Sequence, residues 1–375
     1  MRDVIVIGGG PAGLAAATAL AARGLDALVL ERRDLPADKA CGEGLLPGGV
    51  AALESLGAVR HLDAAGWSRI RAIRWIQEDG TSAEARLPAP GGMGIRRLAL
   101  SAALAARARE VGAEVRERAA VASHWRSADG VGVTLDGGDE IRGKVLVAAD
   151  GLASAVRERE GLSGPARPLR RFGLRRHFAL APWSDAVEVH FSPGVEAYVT
   201  PVGPARVGVA FLFEEGAAPD LERLLARFPA LAARVAGAPF DSALAGAGPL
   251  GRDASTRVQD RLVLVGDAGG YVDAITGEGI SLALEEALLL GDLLPDALAR
   301  GAARESLLPW ERVVRARHRR HAAVTRLVLG MARRPGLRRV AVQWLGRAPR
   351  LFDALLAAAV GGPPRESSAS APVRG

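Results

Sequence analysis

One glycine-rich turn constrains this chain more than any other feature. Asp3 to Ile7 is a short, mostly apolar run, Gly8-Gly9-Gly10-Pro11 interrupts it, and an alanine-rich segment follows from Pro11 to Arg23. The stretch from Val4 to Ala22 carries no charge, yet an apolar export or membrane-spanning helix would not tolerate that interruption, so the pattern predicts strand, turn and helix. The spacing Gly8-x-Gly10-x-x-Gly13 falls where the strand feeds the helix. Gly8 permits the tight turn, Gly10 lets backbone approach a diphosphate, and Gly13 lets helix close on strand. Pro11 and Ala12 complete the turn, and the free N–H groups at the helix start favour phosphate charge. Asp26 to Glu31 reads as a second strand, ending in a carboxylate placed to accept hydrogen bonds from an adenosine ribose, with Arg32 beside it. This is a βαβ unit for a dinucleotide. A tight turn without a ligand is the plain alternative, and FAD and NAD both use such a unit.

Beyond it, Arg97 to Val111 reads as a helix, Ala113 to Arg118 and Gly130 to Leu135 as alternating strands, and Lys144 to Ala149 as a buried strand. From roughly Phe172 to Phe213 alternation with Gly and Pro turns predicts a mostly antiparallel sheet. Arg261 to Val265 returns to the buried-strand pattern and Glu278 to Leu294 is a long helix. The expected organisation is α/β: a Rossmann-type nucleotide-binding domain (1–70, 97–165 and 252–300) interleaved with an antiparallel β-sheet substrate domain (71–96 and 166–251). A helical C-terminal region (301–360) and a disordered Gly/Pro/Ser tail (361–375) follow.

With one cysteine in 375 residues, disulfides and metal sites built from several thiolates are excluded, and a reducing, cytoplasmic setting fits. No metal site is expected. The net charge of +7 is not spread evenly: residues 301–375 hold fifteen arginines against four acids, leaving the remainder net negative. A solvated helical face explains this, or contact with an acidic membrane surface or carrier-bound substrate. Nucleic acid is not expected, because no reading motif accompanies the charge. No obligate protein partner is expected either.

Val147-Ala148-Ala149-Asp150-Gly151-Leu152-Ala153-Ser154-Ala155-Val156-Arg157 and Leu264-Val265-Gly266-Asp267-Ala268-Gly269-Gly270 resemble two further fingerprints of the flavoprotein hydroxylase superfamily, the fold of para-hydroxybenzoate hydroxylase. The resemblance implies FAD. It implies that Asp267, with Gly266, meets the ribityl or ribose hydroxyls, that Asp150-Gly151 lies beside the pyrophosphate, that Arg97 holds the phosphates, and that the Val121 backbone meets the adenine. Each aspartate ends an apolar strand, where ligands gather in open α/β sheets, although either can instead cap a helix and Arg97 can be a surface residue. Thr276-Gly277-Glu278-Gly279-Ile280 opens the long helix, so its N–H groups can face the flavin pyrimidine ring.

Lys39-Ala40-Cys41-Gly42-Glu43-Gly44-Leu45-Leu46-Pro47 and the Gly-Glu-Gly-Ile run resemble geranylgeranyl reductases and related natural-product tailoring flavoenzymes, though Ala274 stands where that branch has proline. Flavin halogenation is not expected, since lysine occurs only at 39 and 144 and no Trp-x-Trp-x-Ile-Pro segment is present. Cys41 and Gly42 are expected among the cofactor-binding residues, and Cys41 and Tyr198 are the candidate catalytic residues; a small buried thiol and a half-buried strand tyrosine are the structural alternatives. His177 and His190 read as structural, because no Asp and Ser spacing accompanies them. Gly246-Ala247-Gly248-Pro249-Leu250-Gly251 repeats the glycine spacing without strand or helix around it and reads as a loop. With no second nucleotide unit, NAD(P)H as electron donor would dock transiently.

The expected activity is an NAD(P)H-dependent monooxygenation of an apolar or aromatic metabolite, polyketide- or quinone-like, after dioxygen adds at flavin C4a. The alternatives are reduction of carbon–carbon double bonds in an isoprenoid or other lipid, and an FAD-binding electron-transfer protein without chemistry of its own.

Overall fold

The apolar run after the N-terminus forms the strand Arg2–Ile7, centred in a parallel sheet. Ala27–Leu30 pairs on one side of it and Glu140–Ala148 on the other, and Glu114–Arg116 and Leu262–Leu264 extend the sheet outward. Strands buried on both faces read as continuous apolar runs, and this sheet shows why. Val4, Val6, Val145 and Val147 pack against the helices Pro11–Ala21, Arg97–Glu110 and Gly279–Ala299. Ile5, Ile7, Leu28 and Leu30 turn to the opposite face and meet Val131 and Val133 of an antiparallel meander. The computed structural model describes residues 1–165, 170–216 and 220–360, so the expected tail 361–375 lies outside the described residues.

A seven-stranded sheet stands beside the first. Its order is Ala245–Ala247, Arg171–Phe178, Arg206–Glu214, Val195–Gly203, Ala186–Ser192, Ala72–Ile76 and Ser82–Arg86, antiparallel except where Ala186–Ser192 meets Ala72–Ile76. The period-2 alternation read between residues 172 and 213 sorts side chains onto two faces. Val199, Val209 and Phe211 pack with the helices Leu221–Ala226 and Pro229–Val235. Val189, Tyr198 and Leu212 point the other way, toward Tyr271 and Ile275. The segment expected as a loop at residues 246–251 departs from that reading at its start. Ala245–Ala247 adds an antiparallel edge strand, because the chain there runs alongside Gly173 to Arg175, but no helix follows it.

Four helices end the described residues: Gly279–Ala299, Arg304–Ala332, Pro335–Arg347 and Pro349–Val360. Trp310, fully buried, donates its indole N–H to the Glu286 carbonyl at 3.1 Å and locks the second of these onto the first.

A buried ionic cluster ties the second sheet to the segment that leads into the long helix. Arg171 donates to Glu196 and, at 2.9 Å, to Asp273, whose carboxylate also accepts the Ile275 N–H at 3.0 Å. Two carboxyls thus share one guanidinium away from water, and burial pushes the Glu196 carboxyl up to about 7, with Asp273 adding repulsion. The folded form therefore binds a proton that the unfolded chain, with its ordinary glutamate, has already released. That contribution to stability is fully present below the ordinary glutamate range and is lost as pH rises through about 7. Thermal melts from pH 5.5 to 8.5 should show the midpoint falling across neutrality, and Glu196→Gln should flatten that fall. An unchanged slope in the variant would assign the titration to another group.

Candidate active site

The site is built on the first turn. Gly8 has φ +107°, and a Cβ there would lie 2.4 Å from the Ala149 carbonyl oxygen. At Gly13 a Cβ would lie 1.9 Å from the Gly8 carbonyl oxygen, so helix and strand approach as closely as the motif requires. Pro11 occupies the first helical position, and the helix start is left open toward the cavity. Glu31, buried, accepts the Gly9 N–H at 2.7 Å through Oε2 and the Arg33 N–H at 3.0 Å through Oε1. Each oxygen keeps a lone pair for a hydroxyl.

Arg97 begins its helix, and its Nη2 comes within 3.7 Å of where a Gly10 Cβ would stand. Asp150 lies two residues past the strand Glu140–Ala148 and accepts the Val156 N–H at 3.2 Å through Oδ2. Arg97 Nε and Asp150 Oδ1 are both buried without a hydrogen-bond partner. The Arg97 Nε is one of six arginine Nε atoms so left among the described residues, whereas Asp150 Oδ1 is the one carboxylate oxygen, and a hydroxyl-bearing ligand lying over the turn fits it. Asp267 faces Lys39 Nζ at 3.9 Å. Gly279 is the first residue of the 21-residue helix, with Gly277 at φ +70° just before it.

These parts line one cavity of about 1190 Å³. It brings together Gly8, Gly10, Pro11, Ala12, Glu31, Arg32, Cys41, Gly42, Arg97, Val121, Asp150, Gly151, Asp267, Gly277, Gly279, Ile280 and Tyr198. Gly13 and Gly266 stay outside the lining: the first packs under the turn, and the second donates its N–H to Glu286 at 2.8 Å. Lys39, Glu43, Trp75, Arg175 and Tyr271 also line the cavity. Sequence alone did not single these out as site residues, though Lys39, one of only two lysines, offered a signal.

The segment from Asp38 to Glu43 is braced from three directions. Arg175 donates to Asp38 Oδ1 at 2.5 Å and to the Lys39 carbonyl at 3.1 Å, and Thr200 donates to the Gly42 carbonyl at 2.8 Å. Glu43 takes φ +59°, costly for a residue with a Cβ, and is held there by both carboxylate oxygens. Oε1 accepts the Arg97 N–H at 2.7 Å, and Oε2 meets His177 Nε2 at 2.5 Å. His177 Nδ1 faces Arg175 Nη1 at 3.1 Å and Ser242 Oγ at 2.9 Å. A guanidinium only donates, so Nδ1 accepts and Nε2–H donates to Glu43. Ser242 Oγ in turn accepts the His177 backbone N–H at 3.1 Å. The Glu43, His177 and Ser242 set is therefore a brace between sheet and loop, not a nucleophile and its base.

Cys41 sits inside this brace, half-buried, its Sγ accepting the Glu43 N–H at 3.3 Å. Burial pushes its thiol up, despite the nearby Arg97, so at neutral pH it keeps its proton. Tyr198 donates its hydroxyl to the Ile275 carbonyl at 2.9 Å, and burial with Glu196 beside it holds that proton tightly. His190 pairs with Glu188 at 3.2 Å and does not line the cavity.

Residues 1–200 match the FAD binding domain family. The chain belongs to that family. Two of its relatives are reductases: digeranylgeranylglycerophospholipid reductase 1 of Methanopyrus kandleri, 32% identical over 79% of this chain and 81% of its own length, and menaquinone reductase of Mycobacterium tuberculosis, 31% identical over 78% and 76%. The fold is similar to that of halogenase PltM in complex with phloroglucinol and FAD, with a TM-score of 0.78 at 20% identity, over 96% of this chain and 88% of that one. This FAD binding domain protein is thus an FAD-dependent oxidoreductase with the para-hydroxybenzoate hydroxylase-type fold. Among the described residues no helix is long and apolar enough to cross a membrane.

Proposed function

We propose that the protein reduces carbon–carbon double bonds in the polyprenyl chain of a lipid or quinone. The observation that carries this is the cavity's far half. Past Tyr198 it runs between Ile73, Trp75, Val187, Val189 and Leu212 of the sheet and Val328, Met331 and Phe352 of the C-terminal helices, without a charged side chain among them. An apolar cleft of this kind selects by shape and hydrophobicity and suits a hydrocarbon chain. The names of the two reductases above support the same substrate class.

Bound FAD supplies the hydride when reduced. The residues named at the first turn, with Arg97, Asp150 and Asp267, would hold it, and the field of the Gly279–Ala299 helix start would favour negative charge on it when reduced. Cys41 delivers the proton, and the apolar walls exclude water. NAD(P)H docks transiently as electron donor. Hydroxylation of an apolar metabolite is the second reading, favoured by the same walls, because insertion of one oxygen atom of dioxygen, the other leaving as water with electrons from reduced flavin, also requires a site closed to bulk water.

Anaerobic turnover with reduced donor and a polyprenylated quinone or phospholipid separates the two. Products heavier by two hydrogens per double bond, formed equally well without dioxygen, support reduction. Products heavier by one oxygen, formed only in air, overturn it in favour of hydroxylation.

A further inference from the structure

The cavity's apolar end emerges among the last three helices, and their outer surface is unlike the rest of the protein. On Pro335–Arg347, Leu337, Val340 and Trp344 recur at helical spacing and are at least half exposed, Trp344 at 66%. Leu351 and Leu355 continue the apolar strip on Pro349–Val360, and Leu327, 74% exposed, lies near the end of the preceding helix. Leu327, Leu337 and Leu355 also line the cavity, so the strip is the rim of its mouth. Soluble proteins rarely leave a contiguous patch of this kind in water.

Charge says what covers it. From Arg312 to Val360 the chain has twelve arginines and one acid, Asp353, which is occupied by the Arg86 N–H at 2.7 Å. Arg319, Arg326, Arg334, Arg347 and Arg350 are exposed and form no ion pair within 4 Å among the described residues. A second copy of the chain would bring the same positive charge against itself. An anionic lipid surface meets both features, taking the leucines and the tryptophan into its interface while the guanidinium groups reach the headgroups.

We infer that these helices form a docking surface for an anionic phospholipid bilayer, with the cavity mouth set against it so that a lipid chain enters from the membrane without crossing water. The purpose of this surface rests on the proposed reduction of a lipid chain, but its existence is measured without turnover. The full-length flavin-loaded protein, floated with phosphatidylglycerol-containing vesicles, should be retained about tenfold more than with pure phosphatidylcholine, and the excess should fall as salt is raised.

Val340, Trp344 and Leu351 do not line the cavity. A Val340→Ser, Trp344→Ala, Leu351→Ser variant with unchanged flavin content should lose that retention. Arg347→Gln with Arg350→Gln should narrow the preference for anionic over neutral vesicles. Equal flotation of variant and native protein, no preference for anionic vesicles, or a patch found buried in a dimer that ignores vesicles overturns the inference. Vesicle binding without double-bond reduction sinks only the proposed activity, and reduction of a detergent-dispersed substrate without vesicle binding sinks only the docking surface.

Discussion

A Gly13→Val protein is expected to purify colourless and to take up added FAD at least about 100-fold more weakly than the native chain, a loss near 2.7 kcal/mol. The cause is local. A Cβ at position 13 would stand 1.9 Å from the Gly8 carbonyl oxygen, a backbone atom that can only move by opening the turn. Opening it withdraws the helix N–H groups from the diphosphate and disturbs Gly9, whose N–H also holds Glu31 at 2.7 Å. Overpacking of this kind costs about 1–3 kcal/mol in fold stability as well, so a second variant isolates binding. Arg97→Met keeps the helix start, since the backbone N–H that meets Glu43 remains, but removes the guanidinium from beside Gly10. A charge-assisted contact of about 1.5–3 kcal/mol should be lost, weakening FAD about 10- to 100-fold with little change in melting temperature. Titration of flavin into stripped protein, followed by fluorescence quenching, reads both. Native affinity in Arg97→Met would mean the orphaned Nε serves another purpose.

How much of this was legible beforehand depends on distance along the chain. Gly8 to Glu31 encodes its own structure, since strand, turn, helix and strand follow one another and each glycine answers a local steric demand. The sheet between Arg171 and Glu214 was equally readable, because period-2 alternation is a local pattern. What sequence could not show were pairings across the chain. His177 meets Glu43 across 134 positions and Arg175 meets Asp38 across 137, and no spacing rule connects them. The strand pairing at Ala245 was missed for the same reason, since a three-residue edge strand owes its existence to the neighbour it lies against. The arginine excess of the last helices is legible as charge, whereas which of their leucines stay uncovered depends on packing that no local pattern encodes.

Replacing Cys41 should separate the two half-reactions. Cys41→Ala is expected to leave flavin reduction by NAD(P)H within about twofold of native, while transfer to a polyprenyl substrate falls by about 10²–10⁴, the range for loss of a positioned general acid. Geometry singles out the thiol. The Tyr198 hydroxyl is committed to the Ile275 carbonyl at 2.9 Å, and the Asp38 to Glu43 segment is braced from the sheet in a way that fixes Cys41 at the cavity wall. Because burial raises the thiol, the acid is in its working form through neutral pH, and native activity should decline only on the alkaline side as the thiolate forms. Cys41→Ala should lack that alkaline limb, and Tyr198→Phe should keep it with a rate loss of about tenfold or less. Glu43→Gln tests the brace: the amide NH2 that replaces one carboxylate oxygen donates rather than accepts, so either the Arg97 N–H or the His177 Nε2–H loses its acceptor and Cys41 should be less well placed, lowering transfer while flavin content stays intact. If Cys41→Ala transfers hydrogen within about threefold of the native rate, the proton comes from water or another side chain and Cys41 is only a buried contact in the loop.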